Sequence, residues 1–146
     1  MIVLPWPDKG LSPNSRLHWA AKGTLRKKAR QWANNAALAA IPFGMREVRA
    51  KFSGDGPIPV TVTFYPPDRR QRDDDNMVGS FKSYRDGIAD ALGVNDRRFR
   101  PIYVFADPEK PGRVTVEFIP GSDALEEKPG NRYLADSVIK EKKNDG

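Results

Sequence analysis

The sequence contains no cysteine and a single histidine, His18. Disulfide frameworks, thiolate zinc sites and cysteine nucleophiles are therefore excluded, and a histidine-rich metal centre has almost no material. No apolar run approaches the ~18–20 residues that a bilayer-spanning helix requires. The opening residues 1–10 lack the charged-then-apolar pattern of a secretory signal, so a reducing cytoplasm is the expected compartment. No internal repeat is present. Charge and proline are plentiful: 25 Lys+Arg stand against 19 Asp+Glu in 146 residues, a formal +6, and 13 prolines and 12 glycines cut the chain into short segments. A pI near 9.7 makes a polyanion the expected partner class.

Residues 1–5 read as a short strand ended by the prolines around Trp6, and 8–15 as a loop. Over 24–40, Leu25, Ala29, Trp32, Ala36 and Ala40 fall at helical steps, with Pro42 and Gly44 beyond. Val48, Ala50 and Phe52 alternate with charged residues and predict a half-buried strand. Val60, Val62 and Phe64 alternate with Thr61, Thr63 and Tyr65, a strand pattern rich in β-branched residues. A second helix is predicted over 76–92, with Met77, Phe81, Tyr84, Ile88 and Leu92 on one stripe, Asn76 as N-cap and Gly93 as stop. Strands at 102–106 and 113–119 follow, joined by a turn at 107–112. The fold class is α+β: a small mixed sheet of about four to five strands with two main helices packed on it. Residues 1–120 form the domain. Residues 121–146 form a charged tail, flexible or partner-docking, with a short helix at 133–142 as the alternative.

The most unusual segment is Pro67-Asp68-Arg69-Arg70-Gln71-Arg72-Asp73-Asp74-Asp75-Asn76. Three adjacent aspartates repel one another and need either full solvation or a cation. In an extended backbone Asp73 and Asp75 point to one face, where their oxygens suit Mg²⁺, with Mn²⁺ the alternative. The plainer reading is an acidic cap at the positive end of a helix dipole. A calcium loop fails, because a register begun at Asp73 would require a ligand at Met77 and glycine at Val78. Asp96 is a second acid flanked by arginine, past the helix end. Lys82 lies about two turns into the helix and can reach back along its surface toward the N-terminal acids, or pairs with Asp86 at i+4. Arg26, Lys27, Lys28 and Arg30 surround the first helix, with Lys22 near it, as either a phosphate-backbone surface or a solvated basic face.

These segments together resemble the RusA family of Holliday junction resolvases, small homodimeric endonucleases of bacteria and their phages. Leu4-Pro5-Trp6-Pro7 followed by Ser12-Pro13-Asn14-Ser15-Arg16 is similar to the family's N-terminal Pro/Asn/Arg loop. Residues 67–76 resemble its signature P-D-R-R-x-R-D-x-D-N, and residues 86–96 resemble its helix ending in alanine-leucine, glycine and an acidic turn. The likeness covers roughly residues 1–119. It implies metal-binding catalytic acids at Asp73, Asp75 and Asp96 and a catalytic lysine at Lys82, here set about three residues further from Asn76 than in the family. It also implies DNA contacts from Arg16 and from the signature arginines Arg69, Arg70 and Arg72, joined by Arg26, Lys27 and Arg30. The implied function is metal-dependent resolution of four-way DNA junctions by paired symmetric phosphodiester cuts, in recombination and repair. Trp6, Trp19 and Phe99 are candidates for stacking on bases, against the plainer reading of core.

Two alternatives stay open: a non-catalytic, basic nucleic-acid-binding module whose aspartates only cap a helix, and a metal phosphohydrolase acting on a small phosphorylated substrate. A geometric difficulty also arises. A straight helix over 76–92 is about 25 Å long at ~1.5 Å per residue, which separates Asp73 and Asp75 from Asp96. Either the helix ends early or bends, with Gly87 the weak point, or the partner of a homodimer supplies Asp96.

Overall fold

The computed structural model describes residues 1–40 and 50–118. Four strands, β1 (Ile2–Pro5), β2 (Ile58–Tyr65), β3 (Phe99–Phe105) and β4 (Arg113–Phe118), form one mixed sheet in the order β1-β4-β2-β3. β4 runs antiparallel to both β1 and β2, and β2 runs parallel to β3. Among the described residues it is accompanied by α1 (Trp19–Ala40), α2 (Asp74–Ser80) and α3 (Lys82–Leu92). The parallel pair requires a crossover, which α2 and α3 supply. The α+β class predicted from the sequence is therefore what the chain forms.

The core follows from alternation. Val60, Val62 and Phe64 of β2 and Val114 and Val116 of β4 are all at most 4% exposed and share one face of the sheet. The whole predicted stripe Met77, Phe81, Tyr84, Ile88 and Leu92 is buried. Phe81 meets Phe64 edge to face at 6.2 Å. Tyr84 donates its hydroxyl to the Pro5 carbonyl (3.0 Å), which fastens α3 to the end of β1, and burial pushes that phenol up to about 12.

Several expectations are corrected. The expected strand around Val48, Ala50 and Phe52 is not formed at its described end: Ala50 and Lys51 are helical. Val48 and Phe52 are also one helical turn apart, so a short alternation could not separate the two periods. Val48 itself lies outside the described residues, as do Pro42 and Gly44, Ile119 and the tail with its alternative helix.

The first helix begins earlier than predicted, at Trp19, where the Ala20 N–H donates to His18 Nδ1 (3.2 Å). Its buried stripe is Ala29, Ala33 and Ala37, not one containing Trp32, which is 59% exposed. The reason is the neighbour. α1 packs on α3 at Gly87, where a Cβ would collide with the Arg30 carbonyl and stand 2.9 Å from Ala33 Cβ. Backbones this close accept alanine and exclude tryptophan.

The single helix predicted over 76–92 is two helices. Its N-cap is Asp73, not Asn76, with the Asp75 N–H donating to Asp73 Oδ1 at 2.9 Å. The break falls at Phe81, not at Gly87. Ser80 Oγ donates back to the Asn76 carbonyl (2.7 Å), a bond that bends helices, and Gly79 presses against Pro13. Gly93 ends α3 in the left-handed conformation (φ +69°), as expected of a glycine stop.

Candidate functional site

β2 ends at Tyr65, and the signature loop 66–73 leaves from that end of the parallel pair. It is held by its own side chains. The Asp68 carboxylate accepts from the Arg70 N–H (2.9 Å) and pairs with Arg72 Nη2 (2.9 Å), and the Arg70 N–H holds that carboxylate below its usual range. Arg72 Nη1 donates to the Asp68 and Arg70 carbonyls (3.1 Å each), and its guanidinium lies over the Trp6 ring at 5.4 Å from the centroid. Arg72, expected on DNA, is thus folded into the loop with 17% of its side chain exposed, whereas Arg70 is 77% exposed. Arg69 is also exposed.

The chain then enters α2 through the aspartates. Asp73 spends one oxygen on the helix cap, and Asp74 and Asp75 stand in the first turn, where the helix dipole favours acid. The helix-capping reading of this run is therefore realised locally, beside whatever else the acids do.

Asp96 lies at the opposite end of the parallel pair, just before β3 begins at Phe99. The register from Ile58↔Phe99 to Phe64↔Phe105 separates the two ends by about 20 Å at ~3.3 Å per residue. The left-handed turn at Gly93 folds the chain back along α3. As a result Asp96 Oδ2 accepts from Lys82 Nζ at 2.8 Å, and the same ammonium donates to Asp86 Oδ1 at 2.7 Å. Lys82 thus makes the expected i+4 pair with Asp86, but its second partner is Asp96 and not the aspartates before α2 toward which its place in the sequence aimed it. Asp86 and then Asp96 raise the lysine's pKa, and the Lys82 hydrogen bond holds Asp96 below its ordinary value.

Arg85, which the sequence did not single out, braces Asp96. Its Nη2 donates to the Asp96 carbonyl (2.9 Å), its Nε stands 3.7 Å from Oδ2, and its guanidinium lies over the Phe99 ring. Phe99 is 4% exposed and belongs to the core, so it is no stacking surface; Trp19, at 79%, is open. The i+4 spacing was the available signal for Asp86. Nothing in the sequence pointed to Arg85.

The carboxylates are right in kind for a hard divalent ion. Among the described residues, however, no three acidic or histidine side chains come together in a group able to hold a metal. Asp73, Asp75 and Asp96 do not converge within one chain, so they do not fit a ready three-carboxylate centre.

The basic surface divides into committed and free cations. Arg30 makes a bidentate pair with Asp90 (Nε–Oδ2 2.6 Å, Nη2–Oδ1 2.8 Å), which clamps α1 to α3 and occupies the guanidinium expected to meet phosphate. The same bond raises Arg30 and holds Asp90 down. Arg16, Arg26 and Lys27 are exposed. Lys27, Lys28, Gln31 and Asn34 line an open depression of about 420 Å³ beside that clamp. A larger groove, about 650 Å³, lies between the stretch following β1 and the signature loop, with Trp6, Arg70, Gln71, Asp73, Asn76 and Met77 among its walls. Among the described residues no helix is long and apolar enough to cross a membrane.

No protein-family model matches the chain. It is similar to an uncharacterized protein of Xylella fastidiosa (strain Temecula1 / ATCC 700964), 47% identical over 98 residues that make up 67% of this chain and 61% of the relative. The chain thus spans about three fifths of the length of the relative it matches.

Proposed function

We propose that this chain is a metal-dependent endodeoxyribonuclease that resolves four-way DNA junctions by paired cuts, acting as a homodimer of the RusA kind. The observation that carries this reading is the meeting of Lys82 with Asp96 at 2.8 Å across 14 residues. The resemblance assigns both residues to one catalytic site, and no local periodicity brings them together. The acid-capped start of α2 and an arginine-bearing loop support it further.

Each side chain has a place in this chemistry. Arg69 and Arg70, both exposed, are free to hold phosphates flanking the cut, as planar guanidiniums do bidentately. Lys82 brings positive charge toward a phosphate that gains negative charge in the transition state. Asp86 and Asp96 orient that ammonium between them. Arg72 shapes the loop and does not touch DNA. Mg²⁺, with Mn²⁺ the alternative, is proposed as the cofactor on the oxygen chemistry of Asp73, Asp75 and Asp96. One chain does not bring these three together, so no step is assigned to the ion. An isologous dimer offers two equivalent sites, matching the two-fold symmetry of a junction that must be cut on opposite strands.

One observation favours a second reading: Asp73 caps α2 with its own carboxylate, as it would in a non-catalytic basic module. A synthetic four-way junction, incubated with the protein with and without Mg²⁺ or Mn²⁺, separates the two. Symmetric nicks that need the ion support the nuclease, and tight binding with no cutting at any ion concentration supports the module. Hydrolysis of a small phosphate ester that branched DNA does not inhibit would overturn both.

A further inference from the structure

Apart from Arg70 and Asp73, the lining of the groove beside the signature loop is not used by the chemistry above. Its about 650 Å³ falls within the ~300–1,000 Å³ usual for small-ligand sites. Two apolar walls are flat or pliable: Trp6, held edge-on against Phe64 at 6.2 Å, and Met77. Its polar lining includes the amides of Gln71 and Asn76, which both donate and accept, beside Asp8, Lys9 and the hydroxyls of Ser12 and Ser80. Arg70, on its rim, is 77% exposed and has only a loose 3.5 Å contact with Asp68. Asp73 forms the wall nearest the acidic start of α2.

From this combination we infer that the groove is a nucleobase pocket, which takes one unstacked base of the DNA strand whose phosphate lies at the neighbouring acids. It rests on the nucleic-acid reading and deepens it. An aromatic ring and a thioether suit the faces of a flat heterocycle, amides suit its hydrogen-bonding edge, and an available guanidinium suits the adjoining phosphate. A branch point is where a base leaves its stack most cheaply, because its pairing is already strained. Arg72 keeps the pocket open by fixing Trp6 from one side, its guanidinium 5.4 Å from the ring centroid.

The test is a binding cycle without divalent ions, so that no strand is cut. Affinity is measured for an intact four-way junction and for one lacking a single base at the branch. Wild-type protein should lose about fivefold or more on base removal, the low end of stacking on an aromatic side chain. Trp6→Ala should bind both junctions alike, and Trp6→Phe should restore much of the difference. Gln71→Ala, at an exposed position that does not affect folding, should also narrow it. Equal binding of both junctions by wild-type protein overturns the pocket while leaving the nuclease reading standing, as does a loss that survives undiminished in every variant. Absence of junction binding, or micromolar binding of free deoxynucleoside monophosphates in its place, overturns both.

Discussion

Lys82 shows how much of the candidate site depends on single charges. Its ammonium sits between Asp86 and Asp96, at 2.7 and 2.8 Å, with 60% of its side chain exposed. Because that bond holds Asp96 below its ordinary value, the folded state keeps this carboxylate ionised to lower pH than the unfolded chain does. The resulting stabilisation is present above the unfolded value near ~3.9 and fades as pH falls through the depressed folded one. Lys82, raised by the same partners, loses its share only when alkaline pH passes its folded value. Asp96→Asn should therefore destabilise the protein at pH 7, by no more than about 1 kcal/mol given the solvent screening of a partly exposed pair. The gap should close in acid. Urea midpoints of both proteins at pH 7 and pH 3 check this, and a gap unchanged at pH 3 would mean that Asp96 acts through packing, not charge. Asp75→Asn probes the other end. That side chain makes no ion pair among the described residues, so its loss should leave the fold and junction binding intact, or tighten binding by removing repulsion from phosphate, while abolishing cleavage. Gel shifts and nicking assays on one preparation separate these outcomes, and normal cutting would remove Asp75 from the site.

At the scale of elements, the α1–α3 contact sets the geometry, and Gly87 sets the contact. A methyl there meets the Arg30 backbone with no flexible atom to yield. Gly87→Ala should destabilise by roughly 1–3 kcal/mol or more, as overpacking does, even though alanine favours helix over glycine. A rise in thermal midpoint would show that the helices can separate without loss. This contact also explains what was legible in the sequence. The stripe Met77–Leu92 was readable because large side chains point into a sheet that rewards size. The α1 face was misread because a close helix pair rewards smallness, so ranking by hydrophobicity selected Trp32 over Ala33. The break at Phe81 left the stripe intact and was therefore invisible to periodicity; it depends on Ser80 bonding backwards and on Gly79 meeting Pro13. The approach of Asp96 to Lys82 was not legible; spacing aimed the lysine at the aspartates before the helix or at Asp86. It requires the reversal at Gly93 to run back along α3, which a glycine stop permits but does not dictate. The signature residues were legible as a group, yet their division into loop-forming Arg72 and exposed Arg69 and Arg70 comes from Asp68 and Trp6, whose partners no spacing rule names.

For the whole molecule, net charge and its placement decide what a polyanion would feel. The formal +6 is not spread evenly. α1 carries Lys22, Arg26, Lys27, Lys28 and Arg30 and no acid, and only Arg30 is neutralised by a bidentate partner. Among the described residues an acidic cluster stands instead at the start of α2, on α3 at Asp86 and Asp90, and just beyond it at Asp96. A strand held on α1 would therefore be attracted by one side of the molecule and repelled by the other unless cations lie between, which is the arrangement expected of a surface that grips phosphate beside a site that must neutralise it. Affinity for junction DNA should fall linearly in log–log form with added salt, and each lost phosphate contact should lower the slope by about one. Lys27→Ala removes a free cation beside the α1 depression and should flatten the slope by about that much on any sequence. Arg72→Ala removes an equal charge from the same molecule, but one already bonded to Asp68 and stacked on Trp6. It should leave the slope nearly unchanged and lower thermal stability. Titrations of both variants from about 50 to 200 mM salt compare the two positions directly. Equal slopes for Lys27→Ala and wild type would move the DNA-binding surface off α1, since no other change in that variant could hide the release of a counterion.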